Sequence, residues 1–159
     1  MRLLLAVAAA VLVAGCSLPE REPPSAWVRA ADAVCAGHVD EFSNVPGFTD
    51  KTLEELQDHE LTTGSFVEIE RWAGDFLAVG RRVEREVEAI GEPRSPDERR
   101  WLELNRENGL ALEQVQAAAA ARDADGVYAA FDRQAELSEE FIELSQELGF
   151  RTCGTVVTD

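Results

Sequence analysis

The chain is poor in the residues and spacings that carry chemistry. It has two histidines and three cysteines in 159 residues. The motifs G-x-S-x-G, the P-loop, H-E-x-x-H, C-x-x-C and the EF-hand loop are all absent, which argues against serine hydrolase and mononucleotide chemistry of the usual kinds. Di-iron bundles need Glu-x-x-His on two helices. The nearest text, His38-Val39-Asp40-Glu41, runs in the reverse order, and His59 stands alone in a connecting segment. No catalytic residue, metal ligand or cofactor is therefore assigned, and the chain is not read as an enzyme. Basic charge is scarce too: 15 basic residues face 31 acidic ones, for a formal net charge of −16. A surface of that sign repels nucleic acid and bare anionic lipid. The acidic residues are interspersed with arginines, the pattern of solvated helical faces. Strand-like alternation is missing and Gly-Pro punctuation is sparse, so the class expected is all-α.

What is present begins with MRLLLAVAAAVLVAG, in which Arg2 precedes an apolar run from Leu3 to Ala14. The run falls short of the roughly 20 residues a membrane-crossing helix needs, and it reads as a signal peptide over residues 1–15. The residues Val13-Ala14-Gly15-Cys16 resemble the lipobox of bacterial lipoproteins. That resemblance implies cleavage before Cys16, a diacylglyceryl thioether on its sulfur and acylation of the new amine, for instance by palmitate. Two or three acyl chains, at about 0.8 kcal/mol per buried methylene, hold a protein on a membrane far longer than one. The expected location is the extracytoplasmic side of the cell membrane, with the lipid anchor as membrane partner.

Setting Cys16 aside leaves Cys35 and Cys153, an even number in an exported chain, and a disulfide is the natural reading. Two free thiols, or Cys35 acting with His38 on the same helical face, are the alternatives. The segments ADAVCAGH and ELGFRTCGT resemble small exported helical lipoproteins of actinobacterial type, which carry one cysteine at each end of the domain. The resemblance supports the pairing and implies no activity.

Residues 16–25 form the lipidated cysteine and a Pro-rich linker, SLPEREPPS, able to hold a domain up to about 28 Å from the membrane. Residues 26–159 suffice for one helical domain. A first helix is predicted over Ala26 to Ser43, with Trp27, Ala31, Val34, His38 and Phe42 on one face. A short connecting helix, TLEELQDHEL, follows, with Thr52 and Glu55 as a capping box. The second long helix, Ser65 to Ile90, carries the seam Phe66, Ile69, Ala73, Phe76, Gly80, Val83, Val87 and Ile90. Ser95, Pro96 and Glu98 start a third that reaches Arg122. A fourth runs from Ala124 to Leu148, and Gly149 ends it. Four amphipathic helices with short connections predict an antiparallel up-down four-helix bundle with a short extra helix in the first connection. In that topology Cys153 must climb about 13 Å to reach Cys35, a distance the chain after Gly149 just covers.

Aligning heights brings His38, Asn108 and Ser138 to one level, with Gln134 in reach and Gly80 leaving room opposite. Asn108 occupies a seam position where an apolar residue is expected. The four polar residues are read as a hydrogen-bonded layer that fixes helix register, or as the floor of a small-ligand pocket. The functional reading is a membrane-tethered helical binding or scaffold module facing an envelope protein partner. The alternatives are a small-ligand carrier or sensor with a polar pocket between the helices, and an enzyme of unfamiliar type. The anchor is tested first: Cys16→Ala should abolish acyl labelling and release the protein from membranes, and unchanged labelling would remove the assignment.

Overall fold

The computed structural model describes residues 23–154, so the signal peptide, Cys16 and most of the linker lie outside the described residues. Five helices follow one another: α1 (Ala26–Ser43), α2 (Asp50–Asp58), α3 (Thr63–Ala89), α4 (Pro96–Ala121) and α5 (Ala124–Leu148). There is no strand among the described residues. The class is all-α, and the helices pack side by side as in a helical bundle.

Local chemistry sets the helix ends. Ser25 accepts the amide of Val28 and caps α1. Ser95 and Glu98 form the expected capping box on α4, with Pro96 in its first turn. Glu98 is only 3% exposed, and it also accepts the Ser25 hydroxyl at 2.5 Å, which ties the start of α1 to the start of α4. Burial alone would raise the Glu98 pKa. The Ser25 hydroxyl and the amides of Ser95 and Arg94 outweigh it and hold the carboxyl below its usual range. Asp123 caps α5, and Gly149, at φ 83°, ends it in the left-handed region where a side chain is strained.

The connecting helix differs from expectation. Its cap is Thr49, three residues before Thr52, and Glu55 does not close a capping box there. Glu55 instead reaches the start of α3, where it accepts the amide and hydroxyl of Thr62 and the hydroxyl of Ser65. Glu68 of α3 returns the arrangement, accepting the amide and hydroxyl of Thr49 and the hydroxyl of Thr52. Each helix thus supplies the carboxylate that satisfies the other's free N-terminal donors. The Ser65 hydroxyl chiefly, against the cost of burial, holds the Glu55 carboxyl down to about 2.

Helix α4 packs against α3 and α5, while α3 also carries α1 and α2. Two core clusters result. One joins Trp27, Val28 and Ala31 of α1 to Val83 and Val87 of α3, Trp101 and Leu102 of α4, and Phe150 and Cys153 beyond α5. The other joins Phe66, Ile69 and Ala73 to Val115, Ala119, Val127 and Ala130, with Phe48, Leu56 and Leu61 from the α2 region laid over them. Between the clusters the core thins to Leu104, Ala111 and Leu137.

Helix lengths explain that thinning. At 1.5 Å per residue, α1 with 18 residues spans about 27 Å, whereas α3, α4 and α5 with 27, 26 and 25 span about 38 to 40 Å. One end of the bundle is therefore covered by α1 and the other by α2, with a gap where α1 stops. The α3 seam responds to it: Phe66, Ile69, Ala73, Val83 and Val87 are buried as expected, but Phe76 and Gly80, midway along, stay partly exposed.

The chain after α5 fastens α1. The Asp32 carboxylate of α1 accepts the amides of Arg151, Thr152 and Cys153 at 3.1, 2.7 and 3.1 Å. Cys35 and Cys153 stand at disulfide distance, with Cα atoms 5.4 Å apart. Phe150 stacks on Trp101 at 4.6 Å, and Trp101 donates its Nε1–H to the Ser145 hydroxyl at 2.8 Å. Loop-closure entropy for a bridge spanning 118 residues amounts to roughly 5 kcal/mol. Reduction, or Cys153→Ser, should lower Tm by on the order of 10 °C. Mass spectrometry that recovers Cys35 and Cys153 as free thiols from the exported protein would contradict the pairing.

Candidate functional site

Alongside the second half of α1, a cleft of about 630 Å³ opens. Its walls come from four helices: Val39 and Phe42 of α1, Phe76 and Val83 of α3, Trp101 and Leu112 of α4, and Phe141 and Ile142 of α5. Cys35, Cys153 and Gly154 line it at the fastened end. The polar part of the wall consists of Ser43, Asn105, Asn108, Gln134, Ser138 and Thr152. None of these lining residues is charged, in a chain of which 29% is Asp, Glu, Lys or Arg.

Three of the four predicted polar residues are joined there. Gln134 Nε2 donates to Ser138 Oγ at 2.8 Å, and Ser138 Oγ donates to Asn108 Oδ1 at 3.0 Å. Asn108 Nδ2 donates to the Leu104 carbonyl at 3.0 Å, which locks the amide to its own helix. Each carboxamide carries two N–H donors and a carbonyl acceptor, so Asn108 keeps one N–H and Gln134 keeps one N–H and its carbonyl. Asn105, one turn earlier on α4, makes no side-chain hydrogen bond with another described residue.

His38 is not part of this chain of hydrogen bonds, contrary to the expectation that made it a member of the polar layer. Its Nδ1 lies 2.7 Å from Glu41 Oε1 and its Nε2 3.1 Å from Glu86 Oε1. Both ring nitrogens are thereby engaged by carboxylates of α1 and α3, and the imidazole does not line the cleft. Arg82 donates in turn to Glu41. These hydrogen bonds, from Glu86 first and Glu41 next, raise the His38 pKa against the opposing effect of burial. The Arg82 guanidinium, followed by His38, lowers that of Glu41. The cluster clamps α1 to α3 just outside the cleft.

Asn105, Val39 and Ile142 were not singled out from the sequence. Asn105 and Asn108 stand three residues apart on α4, which puts Asn105 on the flank of the seam that Asn108 interrupts. That spacing is the one available signal. Val39 and Ile142 gave none, because an apolar residue beside a helix seam reads equally as core flank.

A second cavity of about 370 Å³ lies between α3 and α4. It shares Phe42, Phe76, Asn105, Asn108 and Leu112 with the cleft and adds Leu77, Gly80, Gly109 and Leu110 beside the charged Arg81, Glu84, Arg106 and Glu113. Among the described residues no group of three His, Cys, Asp or Glu stands ready to hold a metal ion, and no helix is long and apolar enough to cross a membrane. Comparison with protein-family models, with curated proteins and with solved structures finds no match to this chain.

The clamp has a pH dependence of definite sign. A folded-state pKa raised above the ordinary value of about 6.5 means that the His38 contacts stabilise the fold below that pH. Their contribution fades as pH rises through the higher folded value. An NMR titration of the His38 ring should give a midpoint above 6.5, and Glu86→Gln should lower it; a midpoint at or below 6.5 in the unaltered protein would mean that the clamp is not made in solution.

Proposed function

We propose that this chain is a lipid-anchored envelope protein whose helical domain is a binding module, with the cleft beside α1 as the seat of a small, uncharged ligand. In this reading Cys16 carries the anchor, residues 17–25 form the tether, and the domain faces outward from the extracytoplasmic side of the membrane. Helices α1, α3, α4 and α5 run alternately up and down as an antiparallel bundle, with α2 in the first connection.

The observation that carries the reading is the neutrality of the cleft. Charged side chains cover the outer faces of every long helix, yet the wall combines aromatic and aliphatic surface with a short run of amides and a hydroxyl. Small-molecule sites have this composition and a volume of about 300 to 1,000 Å³. An anion would meet no basic group there, and a cation no carboxylate. The wall also offers no titratable side chain to move a proton, which favours binding over turnover. Of the two binding readings the sequence allowed, the pocket is therefore preferred to an outer helical face.

Native mass spectrometry of the protein extracted from its own membranes should show a neutral adduct. Ile142→Trp, which fills the cleft from α5, should remove the adduct with the helical content unchanged. Asn108→Leu should weaken retention about tenfold, because the Ser138 hydroxyl loses its acceptor and the ligand loses a partner. Adduct-free protein from wild-type membranes, or an adduct unaffected by Ile142→Trp, would contradict the proposal.

A further inference from the structure

The cleft and the second cavity are neighbours, separated by an aromatic pair. Phe42, next to last in α1, meets Phe76 of α3 with ring centroids 4.9 Å apart and planes tilted by 47°. Both rings line both cavities, as do Asn105, Asn108 and Leu112. These shared side chains form a common wall of a space of about 630 Å³ and one of about 370 Å³. Phe42 belongs to the last turn of a helix that stops here, and Phe76 is half-buried, so neither ring is enclosed on all sides.

Beyond the pair, the second cavity is lined by Leu77, Gly80, Gly109 and Leu110 together with the charged side chains of Arg81, Glu84, Arg106 and Glu113. Gly80 of α3 and Gly109 of α4 line it, and a Cβ placed at either would meet nothing within 4 Å. Each glycine costs its helix about 1 kcal/mol relative to alanine, and no close helix contact here requires one. What the two glycines leave is length of cavity. Arg81 pairs with Glu113 at 2.5 Å and Arg106 with Glu84 at 3.4 Å, so the two charges of each sign in this wall offset one another.

Resting on the binding reading above, we propose that the ligand is an elongated neutral amphiphile: a single alkyl chain carrying a hydroxyl, ester or amide group. The polar group sits in the main cleft against Asn105, Asn108 and Gln134. The chain passes the Phe42–Phe76 pair and ends between Gly80 and Gly109. The uncharged wall of the main cleft, where the polar group sits, selects against the carboxylate of a fatty acid or the phosphate of a phospholipid, whose charge would be desolvated there without a partner. The two compartments in series select chain length, since an alkyl chain gains affinity only for methylenes that find apolar surface.

The test uses 1-monoacylglycerols with chains of 6 to 14 carbons, titrated calorimetrically into the full chain carrying Cys16→Ala, so that no detergent competes. Affinity should rise about fourfold per added methylene up to a plateau length. Gly109→Leu should bring the plateau to a shorter chain and leave the affinity for the shortest ligand within about twofold of the parent. Gly80→Leu offers the same block from the facing helix should Gly109→Leu lose its helical circular dichroism. Affinity independent of chain length, or both leucine variants binding every length like the parent, would overturn the two-compartment site. No binding of any monoacylglycerol, together with a neutral adduct in native mass spectrometry, would overturn the ligand class while leaving the binding reading in place. No binding and no adduct would overturn both.

Discussion

The structure depends on how its shortest long helix is held. Helix α1 packs chiefly on α3, and it could not by itself cover partners that outreach it by two turns. The chain after α5 supplies what is missing. Asp32 gathers three consecutive amides of that segment, the Cys35–Cys153 pair lies one turn further along α1, and Phe150 covers Trp101 beneath. A carboxylate accepting several backbone N–H groups is a strong local contact. A covalent link across most of the chain acts differently, by limiting the unfolded ensemble. Together they fasten the middle of α1, the carboxylates on His38 hold it to α3 further along, and the cleft opens alongside its second half.

From that follows the character of the interior. A fully covered bundle would have filled its middle layer with leucines and phenylalanines. Here the middle holds Asn108, Ser138 and Gln134, hydrogen-bonded in sequence and open to a cleft on one side. Such a layer can fix helix register, because a shifted helix would leave its polar groups unpaired. It can also hold a ligand, because each carboxamide has donors or acceptors to spare. The two roles are compatible. The side chains are oriented by the register bonds and so need little reordering on binding, which lowers the cost of recognition.

Much of the fold was legible in the sequence because its signals are local. Ser95 with Glu98, and Gly149, mark helix ends through contacts within one turn, and the apolar spacing between them fixes which faces turn inward. Asn108 announced itself by interrupting an apolar seam, and a helix at the same height offers Ser138. The rest is set by contacts between distant elements. Glu55 was read as a local capping residue and instead serves the next helix, since Thr62 and Ser65 are within its reach once α2 folds back on α3. His38 lies on the inward face of α1 but is taken up by Glu86, a residue that no pattern along α1 can reveal. The cleft itself lies between helices far apart in the chain, α1 and α5 among them, and is visible only when they are placed side by side.

The most direct test of the central claim, that the neutral cleft beside α1 is the binding surface, is a map of where a neutral amphiphile lands. Isotope-labelled protein carries reporters in the cleft: the side-chain amides of Asn105, Asn108 and Gln134 and the indole N–H of Trp101. On titration with 1-monodecanoylglycerol these signals should shift first and together, with the same midpoint, while the amides of the outer acidic faces stay in place. Shifts scattered over the outer faces, or confined to the α2 end of the bundle with the four reporters unmoved, would contradict the account.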